Sequence, residues 1–367
     1  MTRHDVASRV GSRLAGTAIA VFLAFAVCAV LILLVGANPL EAYAAMLEGS
    51  VGGIAALTTT GVRMTPLLLA GLGVAISFRA GVFNIGAEGQ LYLGAIGATI
   101  VGLMPLGMPS WIHVPLALLG GIVGGAIWAA IPGYLLAYRG ISEVVVTLML
   151  NYVGIYLASY LVDTESGPLG ERGASYSQSA QIQTVARLPA LVAGTSLHLG
   201  LVIGLVLAVA LWAMIRWTPF GFRLRMIGAN PIAARYAGVR VGNQIVAVMA
   251  LSGGLAGLAG AVEVIGLRYR LYENFSPGYG YDAIAVALLA NSHPLGVVLA
   301  AGFFGALQAG ANRMQQTVNI ETSLVFIIQA LTVIFVIAAP KVGRFTFPRR
   351  GAGTPIEEAR GEAVHAG

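Results

Sequence analysis

Charged residues are scarce in this chain. They make up 10% of its 367 residues, against 57% hydrophobic ones, where a soluble domain carries about 25% charge. So little charge cannot cover a water-facing surface, which excludes an ordinary soluble globule and makes lipid the main solvent. Lysine is nearly absent. The only one, Lys341, stands between Pro340 and Val342, and the other 20 of 21 basic residues are arginine. A phosphate-binding loop needs Gly-Lys followed by Ser or Thr. The chain therefore holds no such loop, and any nucleotide that drives it must be hydrolysed on another polypeptide. Gly-x-Ser-x-Gly and His-Glu-x-x-His are also missing. Cysteine is limited to Cys28, which excludes an internal disulfide and reads as a small buried apolar side chain. No His, Cys or carboxylate spacing suggests a metal site.

What the chain does have is long apolar blocks. Runs of about 18 or more apolar residues read as membrane-spanning helices. Lipid offers no hydrogen-bond partners to the backbone, so the spans must be helices or a closed barrel, and the short alternating segments of a barrel are not seen. The expected fold is all-α: a polytopic transmembrane bundle of about ten hydrophobic segments, roughly eight to ten of them true crossings. Their approximate positions are 15–36, 64–79, 84–105, 113–138, 144–162, 196–215, 244–267, 281–292, 294–312 and 323–340. The segment at 281–292 is too short to cross alone and reads as a half-helix. The run from Ala15 to Gly36 could pass for a signal sequence, but at about 20 residues it exceeds the usual 7–15 and is kept as a span.

The net charge of +6 does not point to nucleic acid, because the charges flank apolar spans instead of gathering on one soluble face. With the N-terminus inside, 15 basic residues fall inside and 6 outside. By the positive-inside rule this places both termini in the cytoplasm. The organisation that follows is a cytoplasmic tail at 1–14, one transmembrane domain at 15–345 and a Gly-, Glu- and Ala-rich tail at 346–367 read as disordered. Within the membrane domain, 163–195 is a long external loop. The cytoplasmic loop at 216–243 carries five arginines.

Three constellations carry chemistry. The first, Arg79 to Gly94, sets Asn84, Glu88 and Gln90 among Gly81, Gly86, Gly89 and Gly94 in an apolar region. Polar groups at membrane depth are costly unless they pair or face water. Each is therefore either part of a substrate pathway or part of a polar knot tying helices together. The second, Gly278 to Ala290 followed by Asn291-Ser-His-Pro, brings Asp282 to another Gly-rich break in a comparable place in the second half. Paired interrupted segments point, by analogy with secondary transporters, to a central pathway. The third lies in the cytoplasmic loop. Asn230 can cap a short helix, Pro231 suits its first turn and Gly238 can end it, which predicts a helix of about eight residues outside the membrane. Its Ala-rich face, with Ala233 and Ala234, suits a groove, and Arg235 and Tyr236 supply anchors.

Other polar residues are ambiguous. Glu263 suits a pathway or an ion pair near the outer face with Arg268 or Arg270. Glu143 and Asn151, eight apart on one segment, share a helical face. Asn151 suits a helix–helix hydrogen bond or a substrate contact. Small residues at four-residue spacing, such as Gly121 and Gly125 or Gly253 and Gly257, suit close helix packing in lipid.

These segments, with Ile141-Ser-Glu-Val-Val-Val-Thr-Leu-Met-Leu-Asn-Tyr152, resemble the permeases of bacterial simple-sugar and nucleoside ABC importers. The likeness is closest to the nucleoside branch, through Gly-Val-Phe-Asn-Ile-Gly-Ala-Glu-Gly-Gln at 81–90, and spans roughly 15–345. The resemblance implies a bacterial inner-membrane subunit without cofactors of its own. ATP and magnesium belong to a pair of partner ATPase subunits, a second permease subunit completes a homo- or heterodimer, and an external solute-binding protein delivers a nucleoside or a simple sugar. It also implies that 228–240 holds the coupling helix, although the Glu-Ala-Ala form of many importers is replaced here by Pro231-Ile-Ala-Ala-Arg-Tyr-Ala-Gly238. The rival from another class is an ion-coupled secondary transporter, with Glu88, Glu263 and Asp282 as proton or sodium sites. A membrane-embedded enzyme has nothing beyond scattered carboxylates in its favour.

Overall fold

The computed structural model describes residues 19, 22–319, 323–324, 326–331 and 333–335. The tails at 1–14 and 346–367, Lys341 and the outer parts of the segments at 15–36 and 323–340 lie outside the described residues. Among the described residues the regular structure is helical, with three isolated β-bridges and no longer strand. The helices are α1 (Phe22–Leu34), α2 (Pro39–Val51), α3 (Ile54–Arg79), α4 (Ala87–Leu103), α5 (Ser110–Arg139), α6 (Glu143–Val162) and α7 (Gly200–Trp217). They continue with α8 (Pro219–Ala229), α9 (Pro231–Tyr236), α10 (Val241–Val262), α11 (Tyr279–Leu289), α12 (Pro294–Val318) and α13 (Phe326–Phe335).

Among the described residues six helices are long and apolar enough to cross a membrane: α3, α5, α6, α7, α12, and α10 together with the π-helical turn Glu263–Arg268 that extends it. The pair α1 and α2, bent by 119°, makes a seventh candidate if it counts as one span. The other apolar segments are broken. At 1.5 Å per residue α11 is about 16 Å long, near half of a hydrocarbon core of about 30 Å. α4 begins only after a non-helical stretch at 80–86.

Local chemistry explains where the elements start. α3 begins at Ile54, well before 64, because its threonines hide their polarity. Thr58 and Thr59 donate to the Ala55 carbonyl, Thr60 to Ser50 and Thr65 to Gly61. The sequence reading has no element at α2, yet its signals are strong. The Asn38 Oδ1 accepts from the Leu40 N–H at 3.0 Å, Pro39 fills the first turn, and the Asn38 side-chain amide donates to Glu41 at 3.1 Å, a side-chain N-cap with an acidic residue in the first turn.

α3 and α10 form the centre: their most apolar windows are 83% and 72% buried, against 22% for α5 and α6. α4, α5 and α10 meet through glycines. A Cβ added at Gly125 would lie 2.1 Å from the Gly253 carbonyl oxygen, and one at Gly94 would lie 2.1 Å from that of Gly257. Only hydrogen fits at such separations, which is the packing that the small-residue spacing requires in lipid.

The loop at 163–195 is tied down rather than loose. Ile182, Ala186 and Leu188 are buried, and the Ser179, Ile182 and Leu188 N–H groups donate to the carbonyls of Leu271, Tyr269 and Ile265 at 2.8, 3.0 and 2.9 Å. Arg270 and Glu171 pair across the same contact. The loop thus supplies partners to the non-helical stretch at 269–278, whose backbone would otherwise lack them.

Candidate functional site

Two non-helical stretches, 80–86 and 269–278, each run into a short helix, α4 and α11 respectively. The N-termini of these two helices meet. The Gly280 N–H donates to the Glu88 Oε2 at 2.6 Å. A Cβ at Gly280 would lie 2.2 Å from the Glu88 backbone nitrogen, so glycine is what lets the chains approach. The unpaired N–H groups and the dipoles of both helix starts favour a carboxylate at this point. Ser276 completes the arrangement, its Oγ accepting from the Gly278 and Tyr279 N–H groups at 3.2 Å each.

The stretch at 80–86 is held by side chains. Asn84 and Gln90 exchange amide hydrogen bonds at 2.9 Å in both directions, and the Asn84 amide also donates to the Ser252 hydroxyl at 2.8 Å. One face of α6 meets the same stretch. Glu143 accepts from the Phe83 N–H at 3.1 Å, Asn151 accepts from the Gly89 N–H at 2.8 Å, and the Asn151 amide donates to the Ile85 carbonyl at 2.9 Å. Thr147, between them, is buried against Gly86. Asn84, Glu88, Gln90 and Asn151 are all at most 2% exposed. In this conformation they form a polar knot, and their polar groups are turned to one another and to backbone.

Asp282 stands apart from that knot. It is half-buried on the first turn of α11 and accepts from the Gln308 amide of α12 at 2.8 Å. Exposed aromatic rings, Phe83, Tyr152 and Tyr281, come from the elements around the junction. Glu263 is fully buried in the π-helical turn, paired with Arg268 at 3.6 Å. The Arg63 guanidinium donates to the Tyr279 hydroxyl at 3.0 Å nearby. Sequence reading passes over Ser252, Ser276 and Gln308 and takes Gly280 only as part of a Gly-rich break. The available signal is polarity inside apolar runs, for Ser252 within 244–267 and Gln308 within 294–312.

The arginine-rich loop at 216–243 is two helices. Thr218 caps α8 by accepting from the Gly221 N–H at 3.2 Å, and Pro219 fills its first turn. Asn230 caps α9, its Oδ1 accepting from the Ile232 and Ala233 N–H groups at 2.9 and 3.0 Å, ahead of Pro231. Gly238, at φ 81°, ends it, with the Val239 N–H bonded back to the Ala234 carbonyl at 3.0 Å. α9 has six residues, shorter than the expected eight or so, because the closing turn comes at Ala237. One detail differs in kind. Ala234 is fully buried against Ile227 and Val241, so it fastens α9 to its own chain. The residues offered outward are Ile232, Ala233, Arg235 and Tyr236, the last 91% exposed.

Comparison with known proteins gives whole-chain likenesses. A family profile described as branched-chain amino acid transport system, permease component, matches residues 57–337. The chain is 37% identical over 319 residues to the guanosine ABC transporter permease protein NupP of Bacillus subtilis, covering 87% of this chain and 91% of that one. It is 35% identical over 357 residues to the glucose ABC transporter permease protein TsgB13 of Haloferax volcanii, at 94% and 93% coverage. With the nucleoside ABC transporter permease protein NupB of Lactococcus lactis it shares 30% identity over 324 residues, at 87% and 89%.

Proposed function

Because the chain belongs to the family of branched-chain amino acid transport system permease components and is a membrane permease of an ABC importer, we propose that its cargo is a nucleoside or a related small polar solute. Two of the three relatives named above are described as guanosine or nucleoside permeases, which supports that choice. The third, a glucose permease, supports a simple sugar as the second reading. All three are ABC permease proteins, which leaves ion coupling by this chain alone without support.

The proposed assembly has two ATPase subunits that bind ATP and magnesium, a second permease subunit, like or unlike this one, and an extracytoplasmic binding protein that hands over the solute. The chain sits in a bacterial inner membrane with both termini in the cytoplasm and crosses eight to ten times, the short helices α4 and α11 sharing depth with their non-helical leads. The skew of basic residues supports this orientation. α9 is the coupling helix. Asn230, Pro231 and Gly238 set its ends, Ala234 fastens it, and Ala233, Arg235 and Tyr236 face the ATPase. The chain moves solute and performs no covalent chemistry.

The solute passes beside the meeting point of α4 and α11. Asn84, Glu88, Gln90 and Asn151 frame the pathway by fixing the backbone at 83–89, and Asp282 and the nearby rings face it. A nucleoside suits such a surface, since its base can stack on aromatic faces and its hydroxyls can bond to a carboxylate. Gly-rich breaks absorb the backbone changes that alternate access requires.

The observation that supports this reading is α9: a capped helix, fastened by one alanine, that leaves a tyrosine and an arginine exposed. The test is uptake into proteoliposomes holding the assembled importer, with the binding protein outside and ATP inside. Labelled guanosine should accumulate only with ATP and with the loaded binding protein. Accumulation of glucose in preference to guanosine would move the assignment to the sugar reading, and uptake without ATP would overturn it.

A further inference from the structure

A cavity of about 480 Å³ opens beside α8, where α3 and α7 end and α12 begins. Three guanidiniums (Arg79, Arg216 and Arg225), two indoles (Trp212 and Trp217) and His293 line it, and no acidic side chain among the described residues does. The ion pairs among the described residues involve Arg268, Arg270 and Arg313, so none of these three arginines is matched by a carboxylate there. Arg79 and Arg225 have weaker uses: Arg79 donates to the Ser292 carbonyl at 3.4 Å and Arg225 to the Ile215 carbonyl. Arg216 and Trp217 are exposed. His293 lies between α11 and α12, and burial holds its pKa below the ordinary value, with the positive charge of Arg79 acting the same way. The cavity is crowded with positive charge that no carboxylate among the described residues neutralises.

Position narrows the ligand. Apolar spans end at this cavity, and tryptophan at a span end marks the membrane–water interface. Basic pockets between helices on the cytoplasmic side match the phosphates of anionic lipids, and guanidinium groups bond to phosphate in pairs. We propose that the cavity binds the headgroup phosphate of an anionic phospholipid, held by Arg79, Arg216 and Arg225 with the indoles beside it. Through Arg79, Arg216 and Arg225 the ligand bridges the end of α3, the end of α7 and α8, and so braces α8, the helix that leads into α9. Only the choice of leaflet rests on the proposed orientation; the binding itself does not.

The test titrates the assembled importer in detergent with short-chain phosphatidylglycerol and phosphatidylcholine and reads bound lipid by native mass spectrometry. Arg216, whose side chain has no hydrogen bond or ion pair among the described residues, is the first residue to change. Arg216→Gln should weaken phosphatidylglycerol binding about fivefold, the usual share of one basic residue at an anionic surface, and Arg216→Lys should keep most of it. Arg223→Gln, an exposed arginine of α8 outside the cavity, should change nothing. Inorganic phosphate should not displace the lipid. Equal binding of the two lipids, equal loss in Arg216→Gln and Arg223→Gln, or displacement by phosphate at matched concentration would overturn the assignment, the last in favour of a soluble anion.

Discussion

The Glu88 carboxylate receives the Gly280 N–H at 2.6 Å, which joins the starts of two short helices 192 residues apart in the chain. The contact leaves no room for a side chain at Gly280. Gly280→Ala should therefore push α4 and α11 apart, at a cost of roughly 1–3 kcal/mol. Thermal unfolding in detergent should show a lower midpoint, and transport should fall further than stability does. Glu88→Gln keeps the shape and removes the charge, so it should lose less stability than Gly280→Ala.

Asn151 and Glu143 occupy one face of α6 and bond to the same stretch, but only Asn151 is buried. Asn151→Ala strands the Gly89 N–H and the Ile85 carbonyl away from water, at about 1–3 kcal/mol for each group. Glu143→Ala frees only the Phe83 N–H, which water can reach, and should stay within about 0.5 kcal/mol. A melting comparison of the two variants checks the contrast. Equal losses would mean that the stretch at 83–89 is held by something other than this knot.

Tyr236 touches little of its own chain, so Tyr236→Ala should leave the melting midpoint unchanged. If it anchors the ATPase, its loss should weaken that contact by about 2 kcal/mol, roughly 30-fold, and lower the ATP hydrolysis stimulated by the binding protein. Gly238→Val acts differently, because φ of 81° strains a branched residue by roughly 1–2 kcal/mol. It should uncouple hydrolysis from uptake while the bundle stays folded.

Asp163, at the C-terminal end of α6, accepts from the Ser166 N–H at 2.7 Å and its hydroxyl at 2.8 Å. These bonds, the backbone one first, hold its carboxyl below the ordinary value. A lowered native value stabilises the turn at 163–167 above the ordinary carboxyl range near 3.9, and that contribution disappears as pH falls through the native value. Amide exchange at Glu165 and Ser166, corrected for intrinsic rates, should lose protection on acidification. In Asp163→Asn it should be less sensitive to pH.

Much of this was legible where the governing interactions are local. The Asn230, Pro231 and Gly238 signals define α9 within a few residues, and the same grammar at Asn38-Pro39 and Thr218-Pro219 marks α2 and α8, which a search for apolar runs passes over. Threonine polarity conceals the first turns of α3, since a hydroxyl bonded to its own helix costs no exposed donor. The glycine breaks at 81–94 and 278–280 advertise irregular backbone at membrane depth. That the two breaks face one another depends on the packing of α11 on α3 and of α4 on α10, which no spacing along the chain encodes. The inward turn of Ala234 likewise depends on Ile227 and Val241, and the pattern of α9 alone gives it no side.

The most direct test of the account is the side of the membrane on which α9 lies and what covers it there. Cys28 is the only cysteine and is buried, so Tyr236→Cys introduces one reachable thiol. The account predicts that a membrane-impermeant maleimide labels this variant in inside-out vesicles stripped of the ATPase, not in right-side-out vesicles, and that adding the ATPase back protects it. Labelling from the external face, or labelling from the inside that the ATPase leaves unaltered, would contradict it.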